Sequence, residues 1–138
     1  MTVENARKLV KGFEDCTLPK EQWTHQAHFI MALVYCLEVP LPEATKIIRQ
    51  RIRLYNESVG GKNTDESGYH ETITLFYINT VANYIVTSPL TNLTDEQLTI
   101  YLRQPFLAKD YLLQFYTEGL IRSKEARRNW VPPNKKAS

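Results

Sequence analysis

The prolines of this chain stand between periodic segments and not inside them, and that pattern limits the fold more than any other feature. Pro19, Pro40, Pro42, Gly60, Gly61, Gly68, Pro89, Pro105, Gly119 and Pro132 cut the 138 residues into seven pieces, each long enough for a helix. None of them shows the two-residue alternation of a half-buried strand. The spacing predicts helices near 2–15, 20–38, 43–58, 69–87, 94–103, 106–117 and 122–130. Thr94-Asp95-Glu96-Gln97 reads as a capping box, with Gln97 reaching back to its N-cap. The expected fold is all-α: a single compact bundle of about six or seven helices over 1–131, then a basic flexible tail over 132–138.

Two segments differ from the rest. Over 20–38 and 69–87, apolar residues leave no wholly polar side, as Ile30, Leu33, Val34 and Leu37 are opposed by Phe29, Met31, Ala32, Tyr35 and Cys36. A helix apolar all round is covered by others on most faces, so these two are expected at the centre. They also carry all three histidines of the chain.

Composition narrows the function classes. With 43% apolar and 23% charged residues, the chain has the balance of a globular domain. Its longest apolar run, Phe29 to Leu37, is about half of what a membrane span needs, so no membrane partner is expected. The N-terminus has no apolar h-region, and Cys16 and Cys36 fit neither a disulfide framework nor a metal knuckle, which suggests a cytoplasmic protein with reduced thiols. The net charge of +2, with basic clusters at Lys46 to Arg53 and Arg122 to Lys136 but no aromatic-interleaved basic motif, gives no reason to expect nucleic acid.

Chemistry concentrates in three places. Trp23-Thr-His-Gln-Ala-His28 puts His25 and His28 at i, i+3, on one helix surface beside the small residues Ala32 and Cys36. Gly68-Tyr-His-Glu-Thr72 follows a turn-rich loop and opens the second apolar helix; Glu71 there also reads as a capping residue. Imidazolium is disfavoured at a helix N-terminus, so His70 is expected neutral, as a metal ligand or a general base requires. Arg51 projects into the apolar stripe Ile47, Ile48, Ile52, Leu54 and Tyr55, whereas Lys46, Arg49 and Arg53 fall on the outer face. A core arginine must be paired, with Glu71 or Asp110 as structural partners, or it anchors an anionic ligand bidentately.

The pattern Trp23-Thr-His-Gln-Ala-His28, Tyr55-Asn56, Gly60, Asn63-Thr64 and Gly68-Tyr-His-Glu-Thr72 resembles a family of small bacterial proteins. Ser123-Lys-Glu-Ala-Arg127 with Trp130 and Pro132 is similar to that family's tail, which ends in an acidic residue where this chain has Asn134. The resemblance covers about positions 13 to 133 and implies motif boundaries without an activity.

Three functions are consistent with these residues. In the first, His25, His28, His70 and Glu71 hold one divalent ion (Zn, Fe or Mn) and act on a small anionic molecule. Arg51, Asn56, Asn63 and Thr64 are then the candidate substrate-binding residues, and His28, His70 and Tyr69 the candidate catalytic ones. In the second, the same side chains form a buried hydrogen-bond network in a non-enzymatic binding module. In the third, His70 or His28 is a general base without a metal. The first requires the starts of the two apolar helices to lie at one end of the bundle.

Overall fold

Six of the seven α-helices among the described residues begin where a side chain accepts a first-turn N–H that the helix itself leaves unpaired. The computed structural model describes residues 1–135, and among these it contains no strand. Helix α1 (Val3–Glu14) is capped by Thr2, α2 (His25–Glu38) by Thr24, α4 (Glu71–Thr87) by His70 and α5 (Asp95–Tyr101) by Thr94. The short helices α6 (Glu118–Ile121) and α7 (Lys124–Arg128) are capped by Thr117 and Ser123. The Thr94–Gln97 capping box is complete in both directions. Helix α3 (Leu41–Ser58) has no side-chain cap, but Pro42 sits in its first turn, where a missing N–H costs nothing. The all-α expectation holds.

Helix α2 is the centre of the molecule. Eight of its residues, Ala27 and Phe29 through Tyr35, are buried, and α1, α3 and α4 pack around it. Removing each large side chain from water contributes about 1.5–3 kcal/mol, which makes this helix the main source of core stability. Helix α4 is less enclosed than its composition suggests. Thr72, Ile78 and Val81 are buried, whereas Val86 is 76% exposed. Its remaining apolar side is covered by a second, smaller cluster of Leu112, Tyr116 and Ile121 against Ile73 and Phe76.

The C-terminal third departs most from periodicity. The segment expected as one helix over 106–117 forms two 3₁₀ turns, Pro105–Leu107 and Tyr111–Gln114, interrupted by the extended Ala108. That expected over 122–130 shortens to α7, because Ser123 is extended and caps it, and the separate turn α6 precedes it. Residues 132–135, expected in a flexible tail, are held in place. Asn134 Oδ1 accepts from Thr117 N, and the Lys135 backbone N–H and ammonium donate to the carbonyls of Phe115 and Leu113. Residues 136–138 of that tail lie outside the described residues.

Candidate functional site

The start of α2, the end of α3 and the start of α4 meet at one end of the bundle, where residues of all three line a common cleft. This is the arrangement that a shared site requires.

On the α2 side, the Thr24 cap fixes both histidines in the first turn. His28 Nδ1 lies 2.7 Å from the Thr24 carbonyl oxygen. A carbonyl can only accept, so Nδ1 carries the proton and Nε2 keeps its lone pair. Nothing among the described residues bonds to that Nε2. The ring lies on Trp23 at 3.9 Å between centroids, and Trp23 in turn stacks on Phe13 at 4.5 Å. Burial lowers the His28 pKa, the Thr24 bond opposes this, and the nearby His25 adds to the lowering, so His28 is neutral at pH 7. His25 donates from Nε2 to the Leu107 carbonyl at 2.8 Å.

His70 is wired differently. It is itself the N-cap of α4, with Nδ1 accepting from Ile73 N at 3.1 Å, while Nε2 donates to the Ile121 carbonyl at 2.7 Å. Both nitrogens are spent, and burial lowers the pKa. The expected roles of His70 as metal ligand and general base are therefore corrected: no lone pair is left for an ion or a proton. The same holds for its neighbours. Tyr69 donates its hydroxyl to Glu71 Oε1 at 2.5 Å, and Arg49 donates to Glu71 Oε2 at 2.6 Å. Burial and the Glu71 carboxylate push the Tyr69 hydroxyl far above its ordinary pKa, and the Arg53 guanidinium lies 4.3 Å over its ring. Tyr69 is thus a fixed donor and not an available catalytic acid, and Glu71 is an ion-pair partner. Of the expected metal set only His25 Nδ1 and His28 Nε2 remain unpaired. Two imidazoles alone do not build a four-coordinate site, and no group of three or more His, Cys, Asp or Glu among the described residues is placed to hold an ion.

Arg49 and Arg51 exchange their expected parts. Two residues along a helix turn by about 200°, so only one of the pair can face α4. Arg49 does, and it forms the ion pair with Glu71. Arg51 faces the other way, where it donates to the Glu14 carbonyl at the end of α1 at 3.3 Å, a favourable place for a cation. It lines no part of the cleft, which corrects its expected role as a substrate anchor.

The glycine loop explains the two asparagines. Asn63 Oδ1 accepts from Tyr69 N at 3.0 Å and from Asn56 Nδ2 at 3.1 Å. Gly68 beside it has φ +79°, and a Cβ there would stand 2.4 Å from the Lys62 carbonyl oxygen. Thr64 orders the loop tip by accepting from Glu66 N and Ser67 N. Asn63 and Thr64 therefore shape the loop, and of the four expected substrate-binding residues only Asn56 lines the cleft.

Sequence reasoning missed the residues that give the cleft its charge. Its volume is about 640 Å³, and Lys20, Lys62 and Arg127 line it together with His28, Asn56 and His70. No carboxylate among the described residues lines it. Lys20 and Lys62 make no ion pair among the described residues. Arg127 reads in the sequence as a tail charge, yet it donates to the Gly68 carbonyl at 2.9 Å. The available signal was the co-occurrence of the two motifs, Gly68–Thr72 and Ser123–Arg127, which pack on one another. Thr72 Oγ1 donates to the Asn129 carbonyl and accepts from Val131 N, and Arg128 pairs with Asp65. A second cavity, of about 260 Å³, adjoins the cleft across His28, Ile52, Ile73 and Thr74.

Comparison with family models, with curated proteins and with solved structures finds no match to this chain. No helix among the described residues is long and apolar enough to cross a membrane. The class that fold and site define is an all-α protein with a basic cleft at one end of its bundle.

Proposed function

We propose that the protein binds a small anionic molecule in this cleft and that His28 serves as its proton acceptor. The observation that carries this reading is a neutral imidazole with an unpaired Nε2 in a cleft lined by three cations and, among the described residues, no acid. Lys20, Lys62 and Arg127 attract the anionic end of the ligand, and α2 and α4 both start here, which adds partial positive charge. An O–H or N–H of the ligand, or a water beside it, donates to Nε2, and a base of depressed pKa can take that proton at neutral pH. The step needs no metal. A second reading, a non-enzymatic module, is favoured by the Arg49–Glu71–Tyr69 network, in which both Glu71 carboxylate oxygens and the Tyr69 hydroxyl are already paired.

Titration of untagged protein with lactate, followed by the ring nitrogens of His28 in NMR, tests the proposal. The His28 Nε2 resonance should move, His28→Ala should weaken binding about tenfold, and Lys20→Ala combined with Lys62→Ala by a similar factor. An unmoved Nε2 across lactate, phosphate and acetate would favour the second reading. Stoichiometric zinc bound through His28 would overturn the metal-free step.

A further inference from the structure

We infer that the ligand is amphiphilic: a carboxylate whose apolar body fills the cavity behind His28. This rests on the reading of the cleft as an anion site. The cavity of about 260 Å³ is lined mostly by apolar side chains, Phe29, Ile48, Tyr77 and Ile78 among them, with His25 at its wall, along with the residues it shares with the cleft. It opens on one side and lies between α2, α3 and α4, where Met31, Ile48 and Ile78 on its wall are each no more than 3% exposed. A cavity of about 150 Å³ accommodates benzene, so this one holds a tail of about eight carbons.

The position of the cavity sets the order of groups on the ligand. His28, Ile52, Ile73 and Thr74 belong to both spaces, so the imidazole stands at the junction of a basic half and an apolar half. A molecule that spans the junction places its carboxylate toward Lys20, Lys62 and Arg127. Its alkyl or aryl body lies against Phe29 and Ile78, and the atoms between pass Nε2. Phosphate or a dicarboxylate would use the cleft and leave the cavity unfilled. A neutral hydrocarbon would do the reverse.

The test is a chain-length series of straight-chain carboxylates, acetate through decanoate, measured by calorimetry on the full chain at pH 7.5. Affinity should rise about fourfold per added methylene and level off near eight carbons. Ala32 also lines the cavity, and Ala32→Leu should bring the plateau at least one carbon earlier. If acetate and phosphate bind but lengthening the chain adds nothing, the cavity inference fails and the anion site stands. If no carboxylate binds, both fail. Neutral alkanols binding as tightly as the matching carboxylates would overturn the amphiphile, since the cations would then contribute nothing.

Discussion

His28 and His70 line one cleft from different helices, and their hydrogen bonds serve opposite ends. His28 bonds locally, to the carbonyl of its own cap residue four positions back, and one nitrogen stays unpaired. His70 bonds on both sides, to the first turn of α4 and to a carbonyl 51 residues away on α6. The first arrangement holds a ring in place and leaves it reactive; the second uses up the ring to join two elements. Arg49 and Arg51 repeat the lesson. They are two positions apart on α3, but one forms a half-buried ion pair with Glu71 and the other binds the carbonyl at the end of α1. Residue type nominates a group for chemistry, and the partner it finds decides whether any capacity is left.

The comparison breaks most visibly at His70. His70→Ala removes a cap and leaves the Ile121 carbonyl unpaired, so it should cost about 3 kcal/mol in urea unfolding. His70→Asn, which can still cap, should recover about 1 kcal/mol of that. His28→Ala should cost about 1 kcal/mol by the same measurement, mostly lost packing on Trp23. Equal costs for the two alanine variants would remove the distinction between a joining and a poised histidine.

The arginine pair sharpens it next. Arg49→Met strands Glu71, whose side chain is only 10% exposed, and should destabilise by about 2 kcal/mol. That is less than a fully buried pair would lose, because the Arg49 side chain is 40% exposed. Arg51→Met should cost under about 1 kcal/mol. A larger loss at Arg51 than at Arg49 would reverse their assignment.

The smallest effect is that of acid. The folded pKa values of His28 and His70 both lie below the ordinary value of 6.5, so below that pH the unfolded chain binds more protons than the folded one. Stability should therefore be full above about pH 6.5 and decline as pH falls through the window beneath it. Thermal melts at pH 7.5 and 5.5 should show a lower Tm at pH 5.5, and a smaller drop for His28→Ala. A Tm that rises on acidification would contradict the neutral wiring of both rings.

Much of the architecture was legible because it is local. Thr94 with Gln97 and the turn around Gly68 act within a few residues, so their hydrogen bonds can be read from spacing, whereas the start of α2 at the Thr24 cap falls five residues after the expected helix start at 20. The apolar run of α2 declares its own burial, since no polar face exists to meet water. The meeting of the α2 and α4 starts follows from three consecutive helices that reverse direction twice. The C-terminal third resisted reading because its turns are decided by what they pack on, Ile73 and Phe76, and not by their own period.

By itself the sequence determined an all-α chain, its main helices, and a concentration of histidines at two helix starts. Only the tertiary structure decided which of those groups are free. His25 and His70 are claimed by carbonyls 82 and 51 residues distant, and Glu71 by an arginine on another helix. Lys20, Lys62 and Arg127 come from three separate segments and acquire meaning only where those segments converge. The physical reason is reach. Caps and apolar faces are set by neighbours in the chain, whereas the state of a ring nitrogen depends on one distant oxygen arriving within about 3 Å.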